Sequence, residues 1–170
     1  MEPQHAPGEI RLVGPGEGQD FWQPVPANGF VSVHVSPALV RMDTPLAVGT
    51  QTVPPGCYIR EHVHDRNEEI IHVVAGAGKV RLDGAVHELR AGTTIFIGKG
   101  RPHMFINNGE ADLTLLWIMT PNGLETFFER IGRPKQPGEP APAPFPRPAD
   151  VLAIEQATVF GVPIPDPNAT

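Results

Sequence analysis

The chain has 170 residues, enough for one domain around one hydrophobic core, with 13 Lys plus Arg against 19 Asp plus Glu and a net charge of -6. That charge repels nucleic-acid phosphates and anionic membranes, and no apolar run approaches the roughly 20 residues that span a bilayer, so neither is an expected partner. One cysteine, Cys57, cannot close an intramolecular disulfide, and residues 1–11 have no basic start followed by an apolar run, so the expected location is the cytoplasm.

In chain order, residues 1–28 are expected to form an N-terminal arm. Residues 29–120 then offer short runs rich in Val, Ile, Phe and Thr, each bounded by Gly, Pro, Asn or Asp. They predict strands at 30–35, 38–42, 49–53, 58–64, 69–74, 78–82, 86–89, 93–97, 103–107 and 113–119. Asp83-Gly84 between two of them is a hairpin signal, because Gly accepts the positive φ such turns require. Many short strands with no helix between them predict an all-β sandwich or jelly roll. Over 121–133, Leu124, Phe127, Phe128 and Ile131 recur at helical spacing and Gly132 supplies a stop, which predicts a short helix packed on the barrel. Residues 134–170 combine a proline-dense connector up to Pro148 with a second helix, from Asp150 as N-cap through Val151, Leu152, Ile154 and Val159 to Gly161.

The chemistry gathers around Gly56-Cys57-Tyr58-Ile59-Arg60-Glu61-His62-Val63-His64, followed by Glu69 and Gly76. On a strand, His62 and His64 at i, i+2 share one face and converge on one point. Glu69, at the start of the next strand after a turn through Asp65, Arg66 and Asn67, completes a 2-His-1-carboxylate set. A second glycine-rich stretch, Gly92 then Gly100-Arg101-Pro102-His103-Met104-Phe105-Ile106-Asn107, offers another histidine at a strand start. Three neutral imidazoles and one carboxylate reduce a divalent ion to roughly +1 and leave two octahedral positions open.

These residues resemble the two motifs of the cupins, G-x5-H-x-H-x3,4-E-x6-G and G-x5-P-x-G-x2-H-x3-N. Gly56, His62, His64, Glu69 and Gly76 fill the first; Gly92, Gly100, His103 and Asn107 fill the second, with Gly98 where the motif has proline. The resemblance implies a cupin jelly-roll β-barrel with one or two short C-terminal α-helices. It also implies that His62, His64, Glu69 and His103 bind one divalent transition metal per chain: Fe, Mn, Ni, Co, Cu or Zn. Residues 120–132 and the Phe160-Gly161-Val162 element resemble the tail of bacterial cupins similar to quercetin dioxygenases. That similarity points to a metal-dependent dioxygenase acting on a small aromatic or enolisable compound, with Glu69 as both ligand and proton acceptor. A Lewis-acid isomerase, cyclase or lyase and a non-enzymatic small-molecule-binding cupin are the alternatives, and a homodimer is the expected assembly, with 30–35 as a candidate interface strand.

Period-two alternation back from His62 places Arg60 and Tyr58 on the inward face, where a guanidinium holds an anion and a phenol donates a proton. The competing reading of Arg60 is a structural ion pair at the barrel mouth. The same alternation from Glu69 sends His72 outward. His5, His34 and His87 have no partner motif and receive structural roles, as does Cys57. Phe96, Phe105, Trp117 and Met119 are candidates to line an apolar pocket.

Overall fold

The computed structural model describes residues 7–162, so His5 and the end of the tail lie outside the described residues. The first strands are β1 (Gln19–Trp22), β2 (Phe30–Val35), β3 (Ala47–Val53), β4 (Tyr58–His62), β5 (Glu68–Ala75) and β6 (Ala77–Leu82). There follow β7 (Ala85–Arg90), β8 (Thr94–Ile97), β9 (His103–Ile106), β10 (Leu113–Thr120), helix α1 (Leu124–Ile131), β11 (Arg133–Pro134) and helix α2 (Val151–Ala157). All strand pairs are antiparallel and form two sheets, a larger one in the order β11-β1-β2-β3-β10-β5-β8 and a smaller one in the order β4-β9-β6-β7.

Alternation builds the core. Along β10, Leu113, Leu115, Trp117 and Met119 are buried while the residues between them are partly exposed. Val31, Val33, Val53, Ile71 and Val73 add to that inner face of the larger sheet, and Val80, Leu89 and Phe105 meet them from the smaller one. Each such aliphatic or aromatic side chain, fully buried, contributes about 1.5–3 kcal/mol. The result is the all-β jelly roll expected, and the turn at Asp83 and Gly84, with φ of 48° and 85°, closes the β6–β7 hairpin as its sequence demands.

Several features refine the expectation. The predicted strand at 38–42 is a turn, because Pro37 cannot donate to a ladder and the Ser36 carbonyl instead accepts from both Leu39 N–H (2.9 Å) and Val40 N–H (3.0 Å). β1, within the segment expected as an arm, pairs with β2 and β11. β2, the expected interface strand, is therefore hydrogen-bonded on both edges, by β1 and β3. The proline-dense segment lies against the barrel: Phe145 is buried beneath the Arg133 guanidinium (4.0 Å), and its carbonyl accepts from Val25 N–H (3.0 Å).

Helix α1 forms as the spacing requires, burying Leu124, Phe127, Phe128 and Ile131, with the Glu125 carboxylate accepting from Asn122 Nδ2 (2.6 Å) and the Gly123 N–H (2.7 Å). Helix α2 ends at Ala157, short of Gly161, and the Asp150 side chain makes no capping bond. No helix among the described residues is long and apolar enough to cross a membrane.

Candidate metal centre

β4 and β9 run antiparallel with Ile59 opposite Phe105 and His62 opposite His103, and a bulge lies between the two pairs. The extra residue puts Ile59 and His62 both across from buried residues of β9, so the alternation that would carry His62 back to Tyr58 is interrupted. β4 ends at His62. His64 lies just beyond it, and its carbonyl accepts the Gly100 N–H (2.8 Å), a bond that Gly100 reaches at φ 76° in the turn leading to His103. Glu69 comes in on β5, opposite Ile97 and Met119, and the turn before it is held by Asn67 Nδ2 donating to the Pro121 carbonyl (2.7 Å).

These elements bring His62, His64, Glu69 and His103 together, one ligand atom of each lying within 4.8 Å of the others. Glu69 Oε2 is 3.6 Å from His64 Nε2 and 3.3 Å from His103 Nε2. Ligands bound at about 2.1 Å sit about 3 Å apart when adjacent and about 4 Å apart when opposite, so the cluster has the span of a coordination sphere.

The hydrogen bonds settle what those atoms are. His62 Nδ1 bonds the Arg60 carbonyl (2.8 Å), His64 Nδ1 the Val159 carbonyl (2.9 Å) and His103 Nδ1 the Arg101 carbonyl (2.9 Å). A carbonyl only accepts, so each Nδ1 carries a proton, and a ring in its neutral form then presents its lone pair at Nε2. Burial, followed by the neighbouring His103 and His64, holds His62 well below the usual histidine range, and burial also lowers His64 against the opposing pull of Glu69. Acceptors therefore face a carboxylate with no donor between them. His64 Nε2, Glu69 Oε2 and His103 Nε2 are buried without a hydrogen-bond partner. Orphaned lone pairs of this kind are costly unless a cation joins them, and the donor set fits a divalent transition metal.

His62 and Glu69 open onto a cavity with about 70 Å³ free to the centre of a water molecule, several times what one water needs. Phe105, Trp117, Phe127, Phe128 and Phe160 supply much of its apolar wall, while Tyr58, Arg60 and Arg147 supply polar groups.

Residues 49–119 match the family described as the cupin domain. These residues form a cupin domain. SchB from Streptomyces halstedii is 39% identical over 74 residues, 44% of this chain and 54% of that protein. Polyketide synthase CurC from Streptomyces cyaneus is 33% identical over 85 residues, 46% of this chain and 55% of that protein. The chain thus spans about half the length of these curated relatives. Among solved structures, the polyketide cyclase RemF from Streptomyces resistomycificus superposes with a TM-score of 0.58 at 19% identity, covering 67% of this chain and 81% of that one. At that identity the likeness is one of fold.

The cupin barrel thus gathers the four expected ligands, and Tyr58 and Arg60 both line the cavity, Tyr58 with 39% of its surface exposed. Arg60 is ion-paired with Glu155 of α2. Phe105 and Trp117 line the cavity as expected, but Phe96 is 66% exposed on the outer face of the larger sheet, where the pleat of β8 turns it away from Ile97. His72 bonds Thr94 Oγ1 (2.8 Å), His34 lies near Thr50 Oγ1 (3.4 Å), and His87 is exposed on an edge strand. Cys57 Sγ accepts from Asn28 Nδ2 (3.2 Å). Sequence reasoning missed Val159, whose carbonyl orients His64, Arg147 at the cavity, and Glu155, which pairs with both Arg60 and Arg147. The Phe160-Gly161-Val162 element and the expected second helix pointed to that region without a role, and the Phe160 ring packs 5.3 Å from His62 and 5.1 Å from His64.

Proposed function

We propose that this cupin is a metal-dependent enzyme acting on a small, oxygen-bearing aromatic or enolisable compound. The observation that carries this reading is the cluster of Nε2 lone pairs and the Glu69 carboxylate, converging on one point beside an apolar cavity. A divalent ion held by His62, His64, Glu69 and His103 would supply Lewis acidity to a substrate oxygen.

The protein's own contribution follows from position. The aromatic wall excludes bulk water and so strengthens every electrostatic interaction at the cluster. Glu69, only 4% exposed and on the cavity wall, is placed to accept a proton from an enolisable carbon or hydroxyl as well as to ligate. Tyr58 at the more open side is a proton donor, and Arg60 balances negative charge developing on the substrate. The resemblance of the motifs and the tail to quercetin dioxygenases supports an oxygen-consuming reaction. The polyketide names of CurC and RemF favour a redox-neutral cyclisation as the second reading.

The test is a substrate screen on protein whose metal content has been measured, run with and without oxygen. Glu69→Gln is expected to lose about 10²–10⁴-fold in turnover while keeping metal, since it removes a proton acceptor and leaves an oxygen donor. Undiminished turnover would remove Glu69 from that role. Identical products under strict anaerobiosis would exclude the dioxygenase and leave the cyclisation.

A further inference from the structure

The cavity has a second polar end, built by residues remote in sequence from the metal motifs. Arg60 on β4 and Arg147 from the proline-rich segment both line it, and both donate through Nη2 to the same oxygen, Oε1, of Glu155 on α2. Two guanidiniums share one carboxylate, so the trio keeps one unit of positive charge. Each guanidinium carries five N–H donors in a planar fork, and the bond to Glu155 uses Nη2 only. Glu155 itself is buried, so it cannot swing freely into water to be replaced by solvent.

Phe160 ties this end to the ligand cluster. Its ring centroid lies 5.8 Å from Arg60 Cζ and 5.3 Å from the His62 ring, so an aromatic ring laid along Phe160 has both the guanidinium and the histidine cluster within reach. Phe105, Trp117 and Phe127 add apolar wall to the same cavity. An apolar slot with surplus positive charge at one end selects a flat molecule with an anionic end, because forked guanidiniums match a carboxylate in both charge and geometry.

We propose that Arg60 and Arg147, gathered by Glu155, form an anion subsite that takes the carboxylate of a flat aromatic acid whose opposite, oxygen-bearing edge faces His62 and Glu69. This rests on the reading of the cavity as a substrate chamber, and it narrows the substrate class to aromatic acids. Glu155 is a positioning residue: it holds the two guanidiniums together in the empty site and competes with the incoming carboxylate.

The probes are 4-hydroxybenzoate and its neutral isostere 4-hydroxybenzamide, titrated calorimetrically into the full chain, metal-loaded and after chelation. The acid is expected to bind about tenfold or more tighter than the amide in both states, as a charge-assisted contact independent of the ion requires. The preference is expected to shrink below about threefold in Arg147→Gln and in Arg60→Gln, and Glu155→Gln is expected to bind the acid more tightly than the unaltered chain. Equal affinity for the two probes overturns the proposal, as does failure of both to bind. A preference that disappears on chelation and survives Arg147→Gln also overturns it, because the carboxylate would then sit on the metal. Absence of turnover with the acid–amide preference intact would count against the enzyme reading and leave the subsite standing.

Discussion

The barrel and the segment that follows it contribute to the same centre by different means. All four candidate ligand side chains come from residues 62 to 103, on strands and turns of the barrel. The carbonyl that orients His64 comes from Val159, 95 residues further along the chain. The Phe160 ring covers His62 and His64 from that same segment, and the Gly161 N–H anchors it by donating to the Val63 carbonyl (3.1 Å). The barrel decides which atoms can bind an ion; the C-terminal segment decides how one of the rings is held and what shares its cavity.

Three experiments probe that division. The largest effect is expected from Leu115→Ala: a fully buried side chain of β10 is lost, destabilising the whole fold by about 2–5 kcal/mol in chemical denaturation. If the two regions were equal partners in the fold, ending the chain at Thr158 would cost as much. Instead, the truncated protein is expected to keep the barrel's cooperative unfolding transition and to lose about 10–100-fold in metal affinity, read by competition titration, because His64 loses the acceptor that fixes its tautomer. Unchanged affinity would show that the barrel orients its own ligands.

The smallest effect is one of pH on the metal-free protein. His62 and His64 are held below their ordinary range in the folded state, chiefly by burial, so as pH falls below about 6.5 the unfolded chain takes up protons before the folded one does. Stability is therefore full above about pH 6.5 and declines as the pH drops towards the folded values, a trend that metal loading should suppress near neutrality. A melting temperature that rises on mild acidification of the metal-free protein would contradict the neutral, Nε2-presenting rings.

The same contrast explains what the sequence disclosed. Histidine and glutamate carry their chemistry in the side chain, so His62, His64, Glu69 and His103 announced themselves through type and spacing. Most strands did so through alternation and turn residues. The 38–42 run failed because its apolar residues satisfied the pattern while Pro37 and the Ser36 carbonyl made a turn locally cheaper. Phe96 was misassigned because aromaticity says nothing about which side of a pleat a residue occupies. The bulge between Ile59 and His62 leaves no mark in residue identity, so alternation counted across it loses its phase at Tyr58. Val159 was invisible for a deeper reason: its carbonyl acts, and every residue has one. Arg147 and Glu155 belong to no motif, and they meet only because the proline-rich segment and α2 fold back to bring them together.

Each of the three imidazoles is steered by main chain alone, at Arg60, Arg101 and Val159. Substitutions at these three positions leave the steering oxygen in place as long as the backbone keeps its path. Arg60 shows the freedom this confers: its carbonyl holds His62 while its guanidinium reaches Glu155 beside the cavity. Side chains around the cluster can therefore be exchanged without disturbing the carbonyls that orient its rings, so the lining of the cavity and the aim of the imidazoles can vary along separate tracks.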